Sequence, residues 1–508
     1  MKDPLPPQGP QTDIRADSIR RIAAHMGMVF FLSLVFYLIH LAPEAIWGDS
    51  SSYLFRYDRP LGYGPRDYPV FYLFLRLAIK AMWFWEPARV ANFASALFGA
   101  AAVSMVWLVI HQVTEGSKTA SWAGSVSLAV AHTFWMYSEQ AETKTLFCLI
   151  LASILACIVD LKKRTDLRLT LAGLLFGVGL LHHRLLFVSL PALMLIVLFQ
   201  YKQLTVRSVA LGILAVLVVG IVPNLCIMSQ HFGTKTAPEI MNFYMKGGYR
   251  IVRAGMTLPV YLKGLRNGLG LFALNFIGLA ALLGLAGAWR MAKSLIGWGL
   301  FALIACHFVF ATLYSEHGTW HSYLTPAYVG AAVLVGVGCR ALEDRVKWKK
   351  PVTATVVLAL LFLVPIGVYA SLPGLLTSSG YSLGAPQKNA EHNRLVFWPG
   401  KSDYLFPRRY AERLLLTQTP QNATIVACYG TYTALHYYHA FKGWGADKLL
   451  VPSYGCRTED LAGKIEAAPA DRELFLSIFP YLYRTDVNKV EALPYTIERR
   501  DDYFVVKR

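Results

Sequence analysis

Residues 88–112, ARVANFASALFGAAAVSMVWLVIHQ, carry a single charge, Arg89, near their start. A helix rises about 1.5 Å per residue and the hydrocarbon of a bilayer is about 30 Å thick, so this run can cross it with its backbone polar groups paired internally. Apolar runs of the same kind recur at 26–43, 119–137, 142–161, 168–182, 184–201, 208–230, 268–288, 294–314, 320–340 and 352–372. Of the 508 residues, 55% are apolar and 16% charged, against about 25% charged in soluble domains. The reading is an all-α polytopic membrane protein with about eleven transmembrane helices over residues 26–375. Residues 1–25 are polar and Pro-rich with no small-residue cleavage site after them, which predicts a cytoplasmic segment and not a signal peptide.

Lysine and arginine outnumber the acids, 49 to 31, for a formal charge of +18. No basic stripe interleaves with aromatics on a soluble module, which argues against nucleic acid as a partner. Membrane topology accounts for the excess, because cytoplasmic loops collect Lys and Arg. With the N-terminus inside, Lys162, Lys163, Arg164 and Arg168, then Lys202 and Arg207, then Arg290 and Lys293 all fall on the cytoplasmic side. So do Arg340, Arg345, Lys347, Lys349 and Lys350, and the C-terminus emerges outside.

Two outer loops are long. Residues 44–87 include YPVFYLFLRLAIKAMWFW, an aromatic helix with Arg76 and Lys80 expected to lie along the interface. Residues 231–267 carry Lys235, Lys246, Arg250, Arg253, Lys263 and Arg266 against the inside bias. They read as short interfacial helices, either a lipid anchor or a basic rim that receives an anionic lipid. From residue 376 to 508 the apolar runs stop. DYLFPRRYAERLLLTQ, TALHYYHAF and TEDLAGKIEAA look helical; ATIVACYG, KLLVPSY and ELFLSIF look like strands. The alternation predicts a small extracytoplasmic α/β domain.

Ionisable residues at the ends of spans are costly there and mark candidate sites. On the outer side these are Asp49 in WGDSSSY, Arg66 and Asp67 in GPRDYP, and Glu139, Glu142 and Lys144 in FWMYSEQAETKTL. GLLHHRLL adds His182, His183 and Arg184, and YSEHGTWHSY adds Glu316, His317 and His321. Each has an ordinary alternative: Asp49 as a helix N-cap, Glu142 and Lys144 as hydrated loop charges, the histidines as headgroup contacts. Spacing supports no metal site, although a divalent cation stays open. One carboxylate among several cations suits transfer from a lipid phosphate. Arg, Lys or His would neutralise the leaving phosphate, and the acid would take the proton of an attacking hydroxyl.

In order and at comparable separations, WGDSSSYLF, GPRDYPVFYLFLRL, FWMYSEQAETKTL and LHHRLLFVSLPAL resemble motifs of the GT-C superfamily of integral-membrane glycosyltransferases. The likeness is to the transmembrane family that includes the plexin-directed protein O-mannosyltransferase of animals and its bacterial relatives. That family typically reads W-D-S-G-E-F, then H-P-P-G-Y-P-L-Y, then F-W-x-x-A-x-E-A-E-V-Y-A-L and N-H-H. Here Ser52 stands for the second acid of the first loop, GPRD for H-P-P-G, and Leu181 for the asparagine. The resemblance implies an inverting transferase that uses a polyprenyl-phosphate sugar, with mannose and protein O-mannosylation as its suggested activity. The acceptor class (protein, lipid or glycan) is open. It implies Asp49 as general base, with Arg66, His182, His183 and Arg184 as donor-phosphate ligands. Asp67, Glu142, Lys144 and His321 would be acceptor or support residues, Glu142 for the acceptor or a cation. The implied location is a bacterial inner membrane with the C-terminal domain periplasmic. A lipid or solute transporter or flippase is the alternative, but no inverted repeat is visible; a scaffolding protein would leave the clustered charges without purpose.

Cys148, Cys157, Cys226, Cys306 and Cys339 fall in spans and are expected to be free thiols. Cys428 and Cys456 are the pair of the C-terminal domain that an oxidising compartment could join.

Overall fold

The computed structural model describes residues 11–56, 68–162, 164–229, 236, 238–239, 257–313, 320–346, 351–380, 390–453, 458–477, 490, 493–500 and 503–507. Among the described residues nine helices come first. They are α1 (Gln11–His40), α2 (Asp49–Arg56), α3 (Pro69–Ala81), α4 (Pro87–Val113), α5 (Lys118–Ala129), α6 (His132–Ser138), α7 (Thr143–Ile158), α8 (Thr165–His182) and α9 (Leu186–Leu198). The helical part continues through Val206–Ser229, Leu258–Asn275, Leu279–Met291, Leu295–Leu313, Thr325–Val346 and Pro351–Ser378. Every run expected to span falls on helix. Among the described residues seven helices are long and apolar enough to cross a membrane alone, or nine if each of two bent pairs is one span.

The bends are where the expected spans and the observed helices part. Residues 119–137 break at Ala131 into α5 and α6, and α6 meets α7 at 113°. The span expected at 268–288 is a helix from Leu258 to Asn275 followed, at 108°, by Leu279–Met291, with Gly278 at φ +60° in the joint. Residues 257–267, read as outer loop, therefore start a helix; the rest of the basic loop, Arg250 and Arg253 included, lies outside the described residues save Thr236, Pro238 and Glu239.

Small residues let the helices approach closely. Gly287 and Gly338 face each other where Leu279–Met291 crosses Thr325–Val346, and a Cβ on either would overlap the opposite backbone. The outward faces carry Phe31, Leu214, Leu285 and Leu363 exposed, which suits contact with lipid tails. The chain is an integral membrane protein.

From residue 390 on, the described residues give the helices Ala390–Phe397 and Phe406–Glu412 and then a five-stranded sheet with its own helices. Its strands are β1 (Thr424–Cys428), β2 (Leu449–Ser453), β3 (Leu474–Ser477), β4 (Thr496–Arg499) and β5 (Phe504–Lys507), in the order β2-β1-β3-β5-β4. β2, β1 and β3 are parallel; β5 and β4 add antiparallel. All five residues of β1 are buried, as its continuous apolar run dictates for a central parallel strand. The helices Tyr429–Lys442 and Thr458–Glu466 make the crossovers, so the three expected strands and the helices between them are all present. The five cysteines expected in spans are free, Cys428 is disulfide-bonded, and Cys456 lies outside the described residues.

Candidate active site

The loop after α1, the N-termini of α2, α4 and α7 and the C-terminus of α8 meet at one end of the bundle. The sheet docks on that same end. Gly48, at φ +68°, turns the chain into α2, and its N–H donates to the Gly430 carbonyl at 3.3 Å. Asp49 is the first residue of α2 and is half-buried. Its Oδ1 accepts a 2.7 Å hydrogen bond from Tyr429 Oη, at the start of the helix that follows β1. Burial, and then the Asp49 charge, push the Tyr429 phenol above the usual tyrosine range, so Tyr429 keeps its proton and remains the donor.

The three serines after Asp49 hold its loop in place. Ser50 Oγ donates to the Ala141 carbonyl at 2.8 Å, Ser51 Oγ to the Ile46 carbonyl, and Ser52 Oγ to the carbonyl of Asp49 itself at 3.0 Å. Ala141 belongs to the break between α6 and α7, which α4 also clamps. Asn92 Oδ1 accepts from Ala141 N at 2.7 Å, while its Nδ2 donates to the Ala42 and Glu44 carbonyls at 2.9 and 3.0 Å. Ser95 Oγ accepts from Glu142 N at 2.9 Å. One asparagine and one serine thus bind the Asp49 loop and the Glu142 turn to a single helix.

Glu142 is buried and caps α7, with Oε1 accepting from Thr143 N at 2.8 Å and Lys144 N at 3.3 Å. Lys144 Nζ is paired with it at 3.5 Å and lies over the Tyr323 ring, 5.4 Å from the centroid. Tyr53 of α2 reaches Glu142 Oε1 at 3.5 Å, so the first-loop helix touches the second acid directly. Glu139, three residues earlier, is fully buried and turned elsewhere. It accepts from Trp135 Nε1, and from Lys401 N at 3.1 Å.

His182 and His183 are buried beside this turn. His182 Nε2 donates to the Thr143 carbonyl at 2.9 Å, leaving Nδ1 without a partner. His183 Nδ1 accepts from Leu185 N at 3.0 Å, so in the neutral ring the proton sits on Nε2, which is buried and has no partner. The His183 ring leans on Tyr68 at 5.1 Å. His321 stacks on Tyr137 at 5.8 Å, and Arg184 follows His183 at the start of the turn into α9. The structure therefore gathers Asp49, Glu142, Lys144, His182 and His183 around the Asp49 loop and the α7 N-terminus. Arg66, Asp67, Glu316 and His317 lie outside the described residues. Among the described residues no three His, Cys, Asp or Glu side chains gather as a metal site.

Sequence reading did not single out Tyr429, Asn92, Ser95 or Tyr53. The first carried a signal, since it directly follows the central parallel strand, at the carboxyl end where open α/β sheets present their sites.

The docked domain is held by acids of the bundle's loops. Glu44 accepts from Arg408 Nη1 at 2.6 Å and Tyr438 Oη at 2.9 Å, and Glu86 accepts from Tyr437 Oη and Lys442 Nζ.

Residues 64–206 match the family model described as the N-terminal domain of the protein O-mannosyl-transferase TMEM260. That stretch contains Glu142, Lys144, His182 and His183; Asp49 and the sheet lie outside it. No curated protein sequence matches the chain. Among solved structures it is similar to ArnT from Cupriavidus metallidurans in the apo state, at 13% identity and a TM-score of 0.57, over 97% of this chain and 98% of that one. It is also similar to ArnT from that organism bound to undecaprenyl phosphate, at 12% identity and a TM-score of 0.52, over 96% and 98%. An apo oligosaccharyltransferase of Archaeoglobus fulgidus aligns at 11% identity and a TM-score of 0.48, over 85% of this chain and 64% of that one. At these identities the likeness is one of fold, and with ArnT it runs through bundle and C-terminal domain alike.

Proposed function

We propose that this chain, a membrane glycosyltransferase of the GT-C superfamily, moves a sugar from a polyprenyl-phosphate donor to an acceptor hydroxyl with inversion at the anomeric carbon. The observation that carries the reading is the setting of Asp49: a half-buried carboxylate, fixed by Tyr429 at 2.7 Å, at the end of the bundle that also collects Lys144 and the two histidines. The similar fold of ArnT bound to undecaprenyl phosphate supports a lipid-phosphate donor. The match to an O-mannosyl-transferase domain supports mannose as the sugar and a protein hydroxyl as the acceptor. The distribution of Lys and Arg between loops supports a site facing away from the cytoplasm.

In the proposed step the acceptor oxygen attacks the anomeric carbon from the face opposite the phosphate. The bond from that carbon to the phosphate oxygen breaks, and its electron pair leaves with the polyprenyl phosphate. Asp49 takes the hydroxyl proton. His183 Nε2–H, His182, Arg184 and Arg66 meet the phosphate as its charge grows. Asp67, His321 and the Glu142–Lys144 pair are assigned to support of the acceptor. An activated phosphate leaves without a protonating acid, so a single base suffices.

Asp49→Asn keeps shape and capping ability but removes the base. With a polyprenyl-phosphate mannose and a hydroxyl-bearing peptide, the variant should fold, bind donor and lose turnover by at least about a hundredfold. If Asp49 only started its helix, Asn would be near neutral and Asp49→Ala would cost about 1 kcal/mol of stability. Native-like transfer by folded Asp49→Asn protein sinks the assignment.

A further inference from the structure

At the opposite end of the bundle from Asp49, α1, α4 and the start of α5 line a cavity of about 320 Å3. Its wall includes Arg21, His25, Trp107, His111, Gly116 and Lys118, with no carboxylate among the lining residues. Three rings form one stack: His25 lies 5.6 Å from Trp107 at 18°, and Trp107 lies 4.8 Å from His111 at 14°. Trp107 is fully buried, and Trp107 Nε1, His25 Nδ1 and His111 Nδ1 are all buried without a hydrogen-bond partner. Native proteins rarely leave several such atoms unpaired in one place, so each one asks for a ligand.

The charges point to its chemistry. Among the described residues neither Arg21 nor Lys118 has an ion pair. Both are exposed at the cavity's edge, and the backbone at Lys118 is set by Ser117, which caps α5 by accepting from Ala120 N at 3.2 Å. Ser117 Oγ donates to Glu343 at 2.6 Å, and Arg340 pairs with the same carboxylate, so this acid is engaged away from Lys118. The part of α1 long and apolar enough to cross a membrane begins at Ile19, which puts the cavity near one end of that stretch. Two cations, two imidazoles and an indole around a space several times larger than a water suit an anion with several acceptor oxygens.

We propose that this cavity binds a phosphate group, carried by an anionic lipid headgroup or free in solution. The site is separate from the transfer site, and the inference does not rest on the proposed reaction. Arg21 and Lys118 supply the charge, and His25 and His111 grip the oxygens from the flanks of Trp107.

The full chain in nanodiscs would be titrated with phosphatidylglycerol in a phosphatidylcholine background, and in detergent with inorganic phosphate, following bound lipid by native mass spectrometry and thermal shift. Arg21→Gln with Lys118→Gln should weaken binding about thirtyfold, at roughly tenfold or less per charge near a surface. His111→Phe keeps the ring stack but removes a donor to the anion, and should weaken binding about tenfold. Selective loss of phosphatidylglycerol in both variants, with phosphatidylcholine unaffected, supports a lipid headgroup; loss of the phosphate-induced shift alone supports a soluble anion. Binding that falls with the charge variant but is untouched by His111→Phe is surface attraction and overturns the pocket. So does indifference of the native chain to both probes.

Discussion

Tyr429 Oη and Asp49 Oδ1 lie 2.7 Å apart, a bond between residues 380 positions distant that ties the head of the C-terminal sheet to the mouth of the helical bundle. Because Tyr429 is held protonated, it donates and leaves the second carboxylate oxygen of Asp49 for a reacting proton. The C-terminal domain thus takes part in orienting the proposed base, and docking of the domain becomes a condition for an ordered site.

Removing that bond tests the coupling. Tyr429→Phe keeps the ring in the Gly48–Gly430 junction and deletes only the donor. Turnover is expected to fall about tenfold, the scale of one charge-assisted hydrogen bond, with donor KM little changed. A Phe variant with native turnover reduces Tyr429 to packing.

Glu142 and Lys144 should behave asymmetrically. Glu142 caps α7 and is the ion-pair partner of buried Lys144, so Glu142→Ala removes both a cap and a countercharge; unfolding is expected to cost about 3 kcal/mol less, or lower still. Lys144→Met leaves Glu142 with Thr143 N, Lys144 N and Tyr53 Oη as donors and should be much milder. The double variant should recover part of the loss from Glu142→Ala. Equal costs for the two single changes would contradict this account; thermal unfolding of all four proteins decides it.

Lys401 gives a dependence on alkaline pH. Its ammonium is buried where the chain leaves Ala390–Phe397, donating to the Leu395 carbonyl at 3.2 Å and the Trp398 carbonyl. Burial pulls its pKa down to about 8 from 10.5, against the opposing pull of Glu139. The folded pKa is the lower one, so between those values the unfolded chain binds more protons and stability must rise with pH. Below about pH 8 the penalty is present in full. The melting temperature of the native chain should therefore climb from pH 8 to 10 relative to that of Lys401→Met, in parallel scans. Parallel curves for the two proteins would remove Lys401 as the source.

Much of this was legible in the sequence because length and apolarity alone fix a helix in lipid. The eleven apolar runs and the strands TIVAC and LLVPS announce themselves. The reversal between Ser138 and Thr143 does not, because it is imposed by Asn92, Ser95 and Ser50 across other elements, and a glutamate is not a favoured N-cap. Strands β4 and β5, TIER and FVVK, are too short and too mixed to stand out, and they exist by pairing onto β3. Asp49 was conspicuous as a lone acid beside a span; Tyr429 stood at the end of a legible strand, but nothing local links it to an acid so far away.

The histidines give the last test. His183 Nδ1 is committed to Leu185 N–H, so Nε2–H is the free end of the ring, buried beside His182. His183→Phe preserves a ring of similar size against Tyr68 and Phe147 while deleting that donor. If Nε2 meets the donor phosphate, binding of polyprenyl phosphate, the leaving product, should weaken about tenfold, the worth of one hydrogen bond to a charged group. Acceptor KM should stay put, because the loss falls on the phosphate alone. His182→Phe makes a second comparison: it also breaks the bond to the Thr143 carbonyl, so it should lower stability as well as affinity. A His183→Phe protein that binds polyprenyl phosphate as the native chain does, measured by direct titration in detergent, moves the phosphate away from this ring and toward Arg184 or Arg66.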